Sequence, residues 1–297
     1  MAKRQIYNTL NDMKINLSKY AGFCDGVKRA YDMVNALDLE RVKKPVFILG
    51  SLVHNDEVNG KIEEKGVKKI DKTVFDKASA GEIGTIIITA HGVGPEIYKA
   101  AEEKNIEIFD TTCPKVTKVQ RLAKVYFERG YKIVIFGDCD HKEVKGIDEW
   151  GGGNSFIISK KEDLKNADFG ADEKIAVLSQ TTQNEDLFLE IGDSIRKRYK
   201  NSEIMNTTCS ATHERQEEAK KMAKDNDVMI IIGSEKSSNS NRLFEISKNI
   251  NPLSYFIEKA EFIDSAWLGD KKNIGVTAGA STPEWVIDEV VKKLAEN

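Results

Sequence analysis

The chain has 297 residues, 40% of them hydrophobic and 31% charged, with a formal net charge of −3 and four cysteines. That length holds two or three small domains or one large one, and the composition is ordinary for a soluble globular protein. The charge balance gives no bulk electrostatic case for nucleic acid or an anionic membrane, no apolar run reaches transmembrane length, and four cysteines in so long a chain make no disulfide framework. Residues 1–13 are polar and lack the apolar core of a signal peptide, so a cytoplasmic location is expected.

Residues 1–12 read as a short N-terminal extension with no assignable structure. Residues 14–18 (KINLS) read as a strand that runs towards Cys24, and Val27, Ala30, Tyr31, Val34 and Leu37 then follow at helical spacing. The apolar run 46–50 (VFILG) reads as a buried strand, followed by His54 and Asp56 in a loop and then by a polar helix. A short strand near 67–70 and the strand 85–89 (TIIIT) come next. The latter ends in Ala90-His91-Gly92, and a helix opens at Pro95.

The same order then recurs. Residues 106–109 lead to Asp110-Thr111-Thr112-Cys113-Pro114, and a long helical pattern leads away. Pro114 suits the first helical position, where its missing N–H costs nothing. A thiol at a helix N-terminus feels the positive end of the dipole, which favours the metal-binding thiolate. Strand 132–136 ends in the loop of Cys139, His141 and Glu143, strand 156–158 is short, and strand 175–178 ends in Gln180-Thr181-Thr182 before a helix over Glu185–Arg198. In the last third, Asn206-Thr207-Thr208-Cys209 repeats the cysteine stretch. Strand 228–232 ends in a loop carrying Ser237, Ser238 and Asn239. Strand 273–277 ends in a loop carrying Ser281, and a final helix opens at Pro283.

Strands alternating with amphipathic helices mark parallel α/β units, whose ligands collect at the carboxyl ends of the strands. The spacings make three repeats of this pattern. The cysteines lie 89 and 96 residues apart; each precedes a loop glycine by 26, 24 and 24 residues, and His91, Thr181 and Ser281 by 67, 68 and 72. The expected divisions are 1–12, 13–104, 105–200 and 201–297. Arranged about a pseudo-threefold axis, the repeats would bring the loop residues to one centre.

Three thiolates at corresponding positions can hold a zinc ion, or a cubane iron–sulfur cluster with one iron open. No CxxC pair is present, which argues against a zinc ribbon, and Cys139 stands outside the repeat position and reads as incidental. Ser237, Ser238, Asn239 and Ser281, with His54 and His91, form a set of donors at helix N-termini that suits phosphate oxygens. One such residue alone would be simple helix capping; the clustered run SSNSN argues for more. Lysine and arginine are scarce in these loops, so an anion would be held by neutral donors or by His⁺. Glu143 is the one acid singled out: a carboxyl between a polyanion and a metal centre should have a raised pKa and donate a proton near neutrality. Thr181 would orient a substrate hydroxyl or relay a proton. Asp56 has no separate role.

Together GFCDGV (22–27), LVHN (52–55), AHGV (90–93), DTTCPKVTK (110–118), HKEVKG (141–146), QTT (180–182), TTCSATHERQ (207–216), GSEKSSNSNRL (233–243) and GVTAGASTP (275–283) resemble the 4-hydroxy-3-methylbut-2-enyl diphosphate reductase family of the non-mevalonate isoprenoid pathway. The resemblance covers nearly the whole chain after residue 13. It implies an α/β trefoil of three domains, each with a small parallel sheet, around a central 4Fe-4S cluster. It implies Cys24, Cys113 and Cys209 as ligands, with the fourth iron open to the substrate hydroxyl. It also implies a diphosphate pocket of His54, His91, Ser237, Asn239 and Ser281 with Ser238 and His141 nearby, and Glu143 as proton source beside Thr181. The implied reaction is two-electron loss of a hydroxyl, giving isopentenyl and dimethylallyl diphosphate. The sequence carries no flavin or nicotinamide fingerprint, so the electrons are expected from a ferredoxin or flavodoxin. Asp25 replaces the alanine or phenylalanine usual after the first cysteine, and Ala21 stands where arginine is common. The rival readings are a colourless anion-binding module and an iron–sulfur redox sensor; the set Glu143, His141 and Thr181 argues against the sensor, which needs no proton delivery.

Overall fold

The computed structural model describes residues 5–8 and 13–296. The first elements are β1 (Gln5–Asn8), β2 (Lys14–Leu17), α1 (Asp25–Ala36), β3 (Val46–Leu49), α2 (Asp56–Glu64), β4 (Lys68–Ile70), α3 (Lys72–Lys77), β5 (Thr85–Ile88), α4 (Pro95–Glu103) and β6 (Glu107–Asp110). There follow α5 (Pro114–Glu128), β7 (Lys132–Phe136), α6 (Lys142–Trp150), β8 (Phe156–Ile158), β9 (Ile175–Ser179), α7 (Glu185–Arg198) and β10 (Ser202–Ile204). The chain ends with α8 (Ser210–Asp225), β11 (Val228–Ile232), α9 (Ser238–Ile250), β12 (Ser254–Ile257), β13 (Asn273–Ala278) and α10 (Glu284–Ala295).

The strands form three sheets with the orders β4-β3-β5-β6, β10-β9-β7-β8 and β1-β2-β13-β11-β12. All pairings are parallel except that of β1 with β2. Helices connect the parallel strands, as the alternating apolar runs require. The strand leading into each cysteine pairs with an earlier or distant sheet rather than with the strands that follow. Thus β6 pairs with β5 and β10 with β9, so pairing runs across residues 104/105 and 200/201. Likewise β2, which leads to Cys24, lies beside β13 of the C-terminal sheet. Part of the N-terminal extension is a strand: Gln5–Asn8 runs antiparallel to β2. The remainder of residues 1–12 lies outside the described residues.

The described residues gather into two compact units. One contains residues 5–8 and 13–25, His54–Asp56 and 210–296; the other contains Gly26–Val53 and Glu57–Cys209. In the first unit, β11 divides its side chains by strand period. Val228, Ile230 and Ile232 face Ile287, Val290 and Leu294 of α10, while Met229 and Ile231 face Met222 of α8 and Leu243 of α9. Every residue of β11 is therefore buried, which explains an apolar run without alternation. The central strands of the second unit behave alike: Ile86, Ile87 and Ile88 of β5 and Val134, Ile135 and Phe136 of β7 are fully buried. Truncating one of them to alanine costs about 2–5 kcal/mol, so the sheets are stiff platforms for the loops at their carboxyl ends. Among the described residues no helix is long and apolar enough to cross a membrane.

Candidate functional site

Cys24, Cys113 and Cys209 each immediately precede the first residue of a long helix, α1, α5 and α8. All three are half-buried cysteines that form no disulfide among the described residues. The backbone of each is fastened to the end of a neighbouring strand. Within the second unit the Cys113 N–H donates to Ala90 O (3.0 Å) and the Cys209 N–H to Thr181 O (2.8 Å); within the first, the Cys24 N–H donates to Ala280 O (3.2 Å). Each cysteine is thus anchored at or beside one of the third-loop positions: Cys113 beside His91, Cys209 at Thr181 and Cys24 beside Ser281. Sequence spacing grouped Cys24 with His91; the backbone bonds pair the members one repeat apart, because the cysteine strands sit in neighbouring sheets. Cys139 is exposed.

The second unit brings Glu143, His141, His91 and Thr181 together. Glu143 is the second residue of α6 and only 2% exposed. Its Oε1 accepts from the Thr181 N–H (2.6 Å), and its Oε2 lies 3.0 Å from Thr181 Oγ1. Burial pushes the carboxyl up to about 7, with the hydrogen bonds from Thr181 opposing and the nearby charge of Asp138 assisting. A buried acid so poised holds its proton near neutrality and can release it. His141 caps α6: its Nδ1 accepts from the Glu143 N–H (3.2 Å). Burial holds this imidazole below the usual histidine range. An accepting Nδ1 leaves the proton of the neutral ring on Nε2, which makes His141 a neutral donor rather than His⁺. The His91 ring packs edge-on against it, with centroids 5.3 Å apart at 79°. Gly92 makes this turn possible: its φ is +70°, and a Cβ there would lie 2.6 Å from Gln120 Nε2.

Sequence reasoning missed the residues that brace this pocket. Gln180 Oε1 accepts from the Asp138 N–H (2.9 Å), and Gln183 Nε2 donates to Asp138 Oδ1 (3.0 Å). Both glutamines are buried, and they tie the loop carrying His141 to the loop carrying Thr181. A buried amide has no signature that separates it from an ordinary loop residue. The only available signal was the position of Gln180 in the QTT stretch.

The first unit brings His54, Ser237, Asn239 and Ser281 together. Ser237 caps α9, its hydroxyl accepting from the Ser240 N–H (3.3 Å). The Ser281 hydroxyl lies 3.2 Å from His54 O and 3.5 Å from Ser237 Oγ. Asn239 is 4% exposed, and neither its Oδ1 nor its Nδ2 has a hydrogen-bond partner among the described residues. A buried amide left unpaired costs about 1–3 kcal/mol, so both ends of Asn239 are suited to meet a bound polar group. Ser238 begins the helix beside it and is half-buried. Gly279 and Gly233 let the backbone close around this helix start, since a Cβ on either would fall within 2.4 Å of Ser240 Oγ. Hydroxyls, an amide and backbone N–H groups gathered at one helix N-terminus are chemistry suited to an anion. Asp56 stands at the surface and pairs with Lys236 (3.8 Å). Asp25 is an exposed first-turn acid of α1, where the helix dipole favours it. Ala21 packs partly buried against the first unit's core.

A family model described as LytB protein matches residues 15–295. A relative from Clostridioides difficile (strain 630), named 4-hydroxy-3-methylbut-2-enyl diphosphate reductase, is 39% identical over 279 residues, 94% of this chain and 98% of the relative. One of the same name from Pelobacter propionicus is 40% identical over 285 residues, 96% of this chain and 98% of the relative. Among solved structures, an (E)-4-hydroxy-3-methyl-but-2-enyl diphosphate reductase, described as the terminal enzyme of the non-mevalonate pathway, superposes with a TM-score of 0.67 at 35% identity, covering 95% of this chain and 99% of that one. The E-1-hydroxy-2-methyl-but-2-enyl-4-diphosphate reductase of Plasmodium falciparum superposes with a TM-score of 0.85 at 28% identity, covering 96% and 88%.

Proposed function

The chain belongs to the LytB protein family, and from that premise we propose that it reduces (E)-4-hydroxy-3-methylbut-2-enyl diphosphate. Two electrons and two protons remove the hydroxyl as water and leave isopentenyl or dimethylallyl diphosphate. The family uses an iron–sulfur cluster. Three half-buried cysteines outside any disulfide, each heading a helix of 12 residues or more, fit such a group. We assign Cys24, Cys113 and Cys209 as ligands of one 4Fe-4S cluster with one open iron. When bound, the cluster would relay electrons from the outside donor and offer a Lewis acid for the C–O bond.

The rest of the chemistry belongs to side chains. Ser237, Asn239 and Ser281, with Ser238, His54, His91 and the neutral His141, hold the diphosphate through hydrogen bonds. The protonated Glu143 donates to Thr181 Oγ1, which frees the threonine hydroxyl hydrogen for the departing oxygen. Hydroxide is a poor leaving group, so a proton delivered at that oxygen lowers the barrier. The observation that carries the reading is Glu143 itself: a carboxyl almost fully buried, bound to Thr181 at both oxygens and pushed up to about 7. A ferredoxin or flavodoxin is the electron donor on this reading, and a cytoplasmic location accords with cysteines that form no disulfide among the described residues.

The test is anaerobic turnover of the cluster-loaded protein with reduced methyl viologen and the hydroxylated diphosphate. Formation of the two dehydroxylated diphosphates is expected, and Cys113→Ser should fail to hold a stoichiometric cluster. A loaded protein that forms neither product, or a Cys113→Ser protein with an unaltered cluster spectrum, refutes the respective assignment.

A further inference from the structure

The helix headed by Cys113 differs in charge from those headed by the other two cysteines. α1 and α8 carry acids and bases in balance, whereas α5 holds Lys115, Lys118, Arg121 and Lys124 against the single acid Glu128 at its end. This distribution opposes the helix dipole, which favours acids in the first turn and cations in the last; α5 has neither. All four cations are exposed, in a chain whose net charge is −3. Among the described residues Lys115, Lys118 and Arg121 make no ion pair or hydrogen bond, while Lys124 pairs loosely with Glu128 (3.9 Å). Helix stability therefore does not account for them.

Two of them, Lys118 and Arg121, line a groove of about 540 Å³ together with Val125 of α5, Arg29 of α1, and Thr112 and Pro114. The last two residues flank Cys113. Arg29 Nη1 donates to Thr112 O (3.2 Å), so one guanidinium both lines the groove and fixes the strand end. The acid in the lining, Asp110, is engaged by Tyr98 Oη (2.9 Å) and the Thr112 N–H (2.8 Å). Val125 is 38% exposed and gives the far end an apolar contact. A cationic rim with an apolar patch is the anatomy of a steered, transient protein interface.

We infer that this groove is the docking site of the electron donor, a small redox protein with an acidic face. The inference rests on the reductase reading, which requires two electrons from outside the chain. A partner seated there meets the backbone on both sides of a cluster ligand. The exposed cations raise its encounter rate without adding a buried charge.

The test compares two donors on the cluster-loaded enzyme and its Lys118→Glu/Arg121→Glu variant. With a reduced acidic plant-type ferredoxin at low ionic strength, the variant should lose about tenfold or more in kcat/KM, and its salt dependence should flatten. With reduced methyl viologen, itself a cation, turnover should be unchanged. Equal loss with both donors, or no loss with ferredoxin, overturns the inference. If the wild-type enzyme forms no product with viologen, the reductase reading has failed. The docking site is then judged by calorimetric titration of ferredoxin into the loaded proteins: weakening by about tenfold in the variant supports it, and equal affinity overturns it.

Discussion

The pocket around Glu143 and the cluster around Asn239 handle polar burial in opposite ways. Both oxygens of Glu143 have partners on Thr181, yet the group is costly to ionise; Asn239 carries no charge, yet neither end of its amide has a partner among the described residues. A group that must keep a proton and then release it needs a rigid, dry setting that sets its pKa. A group that must receive an anion needs donors left open and no competing proton. On the proposed reading, this contrast separates a polar group suited to the reaction from one suited to binding.

The largest expected effect breaks the two apart. Glu143→Gln keeps the shape and can retain both contacts to Thr181, with Oε1 accepting and Nε2 donating, but it has no proton to give. Its kcat should fall by about 10²–10⁴ with little change in KM, measured on cluster-loaded protein. A normal kcat would remove Glu143 from proton delivery. Next comes Asn239→Ala, for which KM should rise by about tenfold or more while the fold is kept, since no internal hydrogen bond is lost. An unchanged KM together with lower stability would make Asn239 a structural residue.

A smaller effect concerns stability and pH. The folded pKa of Glu143 is raised from 4.5 to about 7, so the folded form binds the extra proton between those values. Its contribution is fully present below the unfolded pKa and is lost as pH rises through 7. Denaturant titrations should show Glu143→Gln gaining about 1–3 kcal/mol relative to wild type between pH 5 and pH 8. A difference independent of pH would mean that the carboxyl is not held neutral by the fold.

Much of this fold is legible in the sequence, for identifiable reasons. Short uninterrupted apolar runs such as 228–232, bounded by polar residues and glycine, read as strands buried on both faces, and a cysteine before a proline or serine with a helical pattern beyond marks a helix start. The edge strands β1 and β10 are not legible, because short polar strands owe their form to a neighbour rather than to their own pattern. The same limit hides α3, a six-residue helix with one buried side chain, Phe75. Spacing located the third-loop residues His91, Thr181 and Ser281, but strand order decides which cysteine each one anchors. The neutrality of His141 and the bracing by Gln180 and Gln183 come from burial and long-range contacts, which no local pattern records.

Everything proposed for the reaction turns on the buried Glu143 supplying the proton for loss of the hydroxyl. The most direct measurement is the pH dependence of kcat for the cluster-loaded enzyme at saturating diphosphate, with reduced methyl viologen as donor. With Glu143 as the proton donor, kcat should fall above about pH 7, following one ionisation. A kcat that stays level from about pH 6 to about pH 9 would contradict it.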